Sequence, residues 1–135
     1  MGMYTEFRFH AKLRPDTPET VIETLKELIN FNNPILNDHE FFSTQRKSML
    51  FCGTDCITDT ESPELQKFSY GYFLKIHSSF KNYDGEIKKF CDWISTWIYE
   101  TDHSVIGYHQ YEETTKPTKL VFCDGKIVEI ESEVN

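Results

Sequence analysis

Six segments of periodic hydrophobicity run along the chain in the order strand, helix, strand, strand, helix, strand, and a hairpin closed at Asp124-Gly125 follows them. Few folds accept that order. Two strand–helix–strand units with right-handed crossovers interleave into a four-stranded antiparallel sheet with both helices on one face. The expected class is therefore α+β, a ferredoxin-like βαββαβ sheet carrying a C-terminal β-hairpin.

The individual segments follow from spacing. Residues 4–13 place Phe7, Phe9, Ala11 and Leu13 on one side and Glu6, Arg8, His10 and Lys12 on the other, the period of two that marks a half-buried strand. Asp16-Thr17-Pro18-Glu19 then offers a capping oxygen, a proline whose missing N–H costs nothing there, and an acid for the positive helix end. Val21, Ile22, Leu25, Leu28 and Ile29 continue at helical spacing, giving a helix over residues 18–30 that Asn32-Asn33-Pro34 stops. After a long connection over 31–47, which Ile35, Leu36, Phe41 and Phe42 tuck against the body, Met49 to Cys52 reads as a short strand ended by Gly53. Residues 67–78 give the strongest strand signal. Asn82 to Glu86 opens a second helix whose stripe is Ile87, Phe90, Cys91, Ile94, Trp97 and Ile98, with Trp93 off its centre. Residues 103–112 form the fourth strand, and residues 119–123 and 126–131 flank the Asp-Gly pair that a two-residue type I′ turn prefers.

With 135 residues, 39% of them hydrophobic, the chain fits one domain over 1–135 with its own core, the hairpin being an extension over about 118–131. It holds no uninterrupted apolar run of about eighteen residues, and Met1 to Glu6 lacks a secretory layout, so a cytoplasmic location and no membrane partner are expected. Four cysteines are too few for a disulfide scaffold. Cys52 and Cys56 have a zinc-compatible spacing without the second pair such a site needs, so neither a metal nor another cofactor is expected.

The formal charge is −8 and it is uneven: residues 99–135 carry eight acids against three lysines. Asp55, Asp59, Glu61 and Glu64 form a second acidic group. Such surfaces repel phosphate backbones and suit a basic protein partner.

The side of the sheet away from the helices decides which residues can act. Burying Leu74 and Ile76 gains about 1.5–3 kcal/mol each, whereas burying Lys75 and His77 would strand polar groups. Tyr70 and Tyr72 then point to the helices and Phe73, Lys75 and His77 away from them. The same reasoning on the fourth strand turns Ile106 and Tyr108 inward and Val105, Gly107, His109 and Tyr111 outward. Arg8, His10, Phe73, Lys75, His77, His109 and Tyr111 thus form the expected binding face, and Glu112, Glu113, Glu129 and Glu131 an acidic one. The histidines lie too far apart across the sheet to share an ion, and Asp38-His39-Glu40 offers only adjacent side chains. Residues 68–75 match the RNA-recognition octapeptide at Tyr70 and Gly71, and conservatively at Tyr72, but would bury the aromatics that motif exposes, which with the charge disfavours RNA. No phosphate loop, nucleophile elbow or zinc-protease motif is present, so catalytic residues are expected to be none. A small-molecule binder or small enzyme using the open face remains the alternative.

Met3-Tyr4-Thr5-Glu6-Phe7, Asp16-Thr17-Pro18 with Val21-Ile22, and Lys81-Asn82-Tyr83-Asp84-Gly85-Glu86-Ile87 with Phe90 and Trp93-Ile94 resemble a group of short uncharacterised bacteriophage and bacterial proteins. The resemblance runs from Met3 to about Pro117 and brings no catalytic residues with it. It implies a small acidic phage protein, a context in which binding and inhibiting a host defence protein is common. The hairpin over 118–131 departs from that group and supplies an interaction element, or an edge strand through which two copies could pair.

Overall fold

The computed structural model describes residues 4–52, 61–69 and 71–131. Asp55, Cys56, Asp59, Tyr70 and Glu133 lie outside the described residues. The fold is α+β: six strands, β1 (Thr5–Lys12), β2 (Glu64–Phe68), β3 (Gly71–Phe80), β4 (Ser104–Tyr111), β5 (Thr118–Cys123) and β6 (Lys126–Glu131), form one open sheet. Its order is β2-β3-β1-β4-β5-β6 and every neighbouring pair is antiparallel. Three helices accompany it, α1 (Glu19–Ile29), α2 (Met49–Cys52) and α3 (Glu86–Ile94). Among the described residues no helix is long and apolar enough to cross a membrane.

β1 organises the core. Its alternate residues Phe7, Phe9 and Ala11 are fully buried, as is Leu74 and Ile76 from the paired β3. Phe90 of α3 meets Phe7 and Phe9 edge-on at ring separations of 6.2 and 5.4 Å. Phe41, Phe51 and Trp93 close around the same ring. Edge-to-face pairs of this kind add about 0.5–1.5 kcal/mol each beyond the area they bury. Val21, Ile22, Leu25 and Leu28 of α1 belong to the same buried cluster. Trp93, expected at the rim of its stripe, is buried against Phe41, Phe42 and Trp97 and offers no exposed anchor.

Local chemistry departs from expectation in three places. Residues 49–52 are helical: the N–H groups of Leu50 and Cys52 reach back to the carbonyls of Arg46 and Ser48, while Leu50 and Phe51 are buried and Met49 is exposed. A four-residue apolar run fits a strand or a helical turn equally well, and its neighbours decide. The second strand is instead residues 64–68, so the aromatic stretch over 67–78 straddles two strands. Asp16 does not cap α1, because Arg14 holds its carboxylate at 3.0 Å and no side chain bonds that helix start. At α3 the expected opening segment does bond the helix start: Asn82 accepts the Ile87 N–H, and buried Glu86 accepts the N–H groups of Asp84 and Arg46. These bonds tie the long connection over 31–47 to α3.

The hairpin closes in the expected register, Cys123 opposite Lys126, with Asp124 and Gly125 both left-handed at φ 52° and 76°. Between β1 and β4 the backbones approach so closely that a Cβ on Gly107 would lie 2.1 Å from the Arg8 carbonyl oxygen. Backbone cannot yield as a flexible side chain does. Gly107→Ala is expected to cost about 3 kcal/mol, the upper end of overpacking penalties, with loss of the β1–β4 pairing in urea unfolding and amide exchange. Unchanged stability would show that the strands separate at no cost.

Candidate functional site

Register assigns the two faces of the sheet. Directly paired residues of an antiparallel sheet share a face, so the partners of buried Phe7 and Phe9 lie on the core flank. Opposite to it, Arg8 pairs with His77 and Tyr108, His10 with Lys75, and Lys12 with Phe73. Glu64 and Gln66 of β2 continue this outer flank beside Lys75 and Phe73.

His77 departs from the expectation of an open basic and aromatic face. Its side chain is 3% exposed, and its Nε2 lies 2.7 Å from a Glu6 carboxylate oxygen. Burial strands a polar ring only when no partner is present. Glu6, on the neighbouring strand two residues from Arg8, supplies that partner for one nitrogen; Nδ1, also buried, has no hydrogen bond. Lys75 is likewise committed, 3.2 Å from Glu61, whose carboxyl is held below the usual range by that hydrogen bond and by the lysine charge. Arg8 and Phe73 are half-buried, and His10 is exposed.

His109 and Tyr111 occupy the face opposite to the expected one. A bulge between Val105 and Gly107 shifts the β4 ladder, so Gly107, His109 and Tyr111 align with Phe9, Phe7 and Thr5. Tyr108 and Gln110 are the residues that join Arg8 and Glu6 on the outer flank. His109 Nε2 contacts the Glu129 carboxylate, and Glu112 accepts the Tyr4 N–H. Partial desolvation, followed by the charges of Glu113 and Glu112, raises the Tyr111 phenol above its ordinary value.

Two clefts flank the hairpin on the core side. One, of about 700 Å³, lies between α3 and β6, with Glu40, Lys88, Lys89, Asp92, Ile127 and Glu129 on its walls. The other, of about 530 Å³, includes His109, Tyr111, Glu113, Lys116 and Glu131. On the outer flank, Val105, Val121 and Val128 form one row across β4, β5 and β6, and Ile130 follows beside Lys119. Val105, Val128 and Ile130 are 51%, 39% and 48% exposed. Glu129 and Glu131 thus occupy the face of β6 opposite to Val128 and Ile130.

Cys52 and His39, singled out in the sequence, are committed locally. Cys52 donates its thiol to the Ile29 carbonyl, and burial raises its pKa. His39 accepts the Phe41 N–H at Nδ1 and meets Asp92 at Nε2, so both ring nitrogens are engaged. A grouping absent from the sequence reading appears elsewhere: Asp102, His103 and Cys123 place one ligand atom each within 4.8 Å of the others. Twenty residues separate His103 from Cys123 in the chain, and the Ser104–Phe122 pairing, with the bond from the His103 N–H to the Phe122 carbonyl, brings them together. The Asp-Gly turn, by fixing where β5 ends, was the available signal.

No family model, curated protein or solved structure matches this chain.

Glu6→Ala would leave both His77 ring nitrogens buried without a partner. The expected loss is about 1–3 kcal/mol in denaturant unfolding, the penalty for an unsatisfied buried polar group. A loss below a few tenths would mean that water reaches the imidazole.

Proposed function

We propose that the protein is a non-enzymatic binding module of ferredoxin-like fold that docks a partner protein on its C-terminal hairpin. The fold reading is supported by the β2-β3-β1-β4 order and by Phe90 of α3 lying over the Phe7–Phe9 flank with α1 residues in the same cluster. β5 and β6 extend that four-stranded unit on the β4 side.

One observation carries the docking reading. Among the described residues β6 ends the sheet, paired only with β5, and bears exposed Val128 and Ile130 on one face and Glu129 and Glu131 on the other. An unpaired edge presents a row of backbone donors and acceptors that a partner's strand can complete. Exposed apolar side chains supply the desolvated centre of an interface, and the carboxylates supply its charged rim. Glu112 and Glu113 lie on the same acidic side of the chain's C-terminal third. With a net charge of −8, this surface favours a protein with a basic face. The resemblance to short phage and bacterial proteins supports a host defence protein as that partner, encountered in the host cytoplasm.

The test is affinity capture of a partner from bacterial lysate with the tagged protein, followed by binding of that partner to wild type and two double variants. Val128→Lys with Ile130→Lys should weaken it at least tenfold with the melting temperature unchanged. Glu113→Lys with Glu131→Lys should weaken it most at low salt, since rim charges are screened as ionic strength rises. Equal affinity for all three proteins would reject the hairpin as the docking surface. Concentration-dependent sedimentation abolished by the first pair alone would assign the edge to self-pairing instead.

A further inference from the structure

We infer that Asp102, His103 and Cys123 form a binding site for a zinc-class divalent cation at the corner where β4 begins and the β5–β6 hairpin turns. It is separate from the docking reading, since its residues lie at the opposite end of β5 from Glu131 and Thr118.

The donor set points to the ion. A thiolate and an imidazole select borderline to soft metals, whereas calcium and magnesium require oxygen shells. His103 Nδ1 lies 3.8 Å from Cys123 Sγ. Tetrahedral zinc, with bonds of about 2.0–2.3 Å, holds its donor atoms roughly 3.3–3.8 Å apart, so these two already stand at the separation of ligands sharing one ion. Asp102 completes the three: its Oδ2 lies 3.5 Å from His103 Nε2, and one carboxylate oxygen, one ring nitrogen and the Cys123 sulfur fall within 4.8 Å of one another. Asp102 and His103 are exposed, so a fourth ligand would come from solvent.

The backbone holds the donors in place. The Asp124 N–H donates to Asp102 Oδ1 at 2.8 Å, so Oδ2, 3.5 Å from His103 Nε2, is the oxygen that would exchange this contact for the ion. That is the supporting bond which commonly orients a carboxylate ligand. His103 and Asp124 adopt left-handed conformations at φ 71° and 52°, and the His103 N–H bonds the Phe122 carbonyl at 2.7 Å. The imidazole therefore projects from the turn just before β4 and the thiol from the last residue of β5, and the Ser104–Phe122 pairing holds those two ends together. On binding, the Cys123 thiol releases its proton to solvent as the metal–sulfur bond forms, and no electron is transferred.

The experiment is titration of the full-length reduced protein with Co²⁺ as a spectroscopic probe, followed by Zn²⁺ competition. Expected is one equivalent bound, with a thiolate-to-cobalt charge-transfer band and the visible bands of four-coordinate cobalt, both bleached by Zn²⁺ as the stronger binder. Cys123→Ser should remove the charge-transfer band, and His103→Ala should weaken binding at least a hundredfold. Both positions are at the surface, and circular dichroism of each variant confirms the fold. Cys52→Ser with Cys56→Ser should bind as wild type. Absence of any cobalt band overturns the site, as does a band that survives Cys123→Ser and disappears in the Cys52/Cys56 double variant.

Discussion

The central position of β1 is the constraint on which the rest of the molecule depends. β1 pairs with β3 on one side and β4 on the other, so its alternation of Phe7, Phe9 and Ala11 with Glu6, Arg8 and His10 sets the facing of both neighbours. A one-residue slip would exchange the two faces of three strands at once. The ring of Phe90 against Phe7 and Phe9 fixes which face is dry. Gly107 then permits β4 to approach where any side chain would collide with the Arg8 carbonyl. Helix α3, the aromatic cluster and the β4 bulge are consequences of satisfying that one strand from both sides.

Much of the architecture was legible wherever a segment repeated its own period. β1, α1, α3 and the Asp124-Gly125 hairpin are long or chemically distinctive enough that local sequence and tertiary context agree. Met49 to Cys52 shows the opposite case: four apolar residues carry no period, and backbone bonds to Arg46 and Ser48 make them a helical turn. The aromatic run over 67–78 concealed a strand boundary because β-forming residues continue across it. Strand content was visible there; the place where the chain reverses was not.

The candidate surface was less legible, because facing depends on pairing partners rather than on a residue's own polarity. Treating Tyr108 as a core residue and His109 as a surface one follows hydropathy, yet the bulge before Gly107 inverts both. His77 illustrates a second limit. Its burial is tolerable only because Glu6, seventy-one residues away in sequence, supplies a carboxylate at 2.7 Å. A cost estimated for a residue alone overstates the cost of the pair. Lys75 and Glu61 repeat the pattern at the surface, with the smaller energies typical of exposed ions.

These corrections shift the weight of function toward the C-terminal strands. The outer flank of β1 and β3, expected to be an open basic face, has His77 and Lys75 already engaged by Glu6 and Glu61. β5 and β6 differ because the sheet continues there beyond much of the covering layer. Leu120 and Phe122 still reach the core, but one strand further out Val128, Glu129, Ile130 and Glu131 are exposed. A hairpin that served packing alone would bury its last strand or blunt that edge with lysine or proline. Instead Lys126 is the only base in β6, at its first residue, and the outward-facing positions after it are valine and isoleucine. Retaining apolar exposure on an unpaired edge carries an aggregation risk, and the carboxylates on its other face oppose self-association by like-charge repulsion. On the proposed docking reading, that combination would discourage a second copy while leaving the edge attractive to a basic strand, so that charge complementarity, more than shape, would select the occupant.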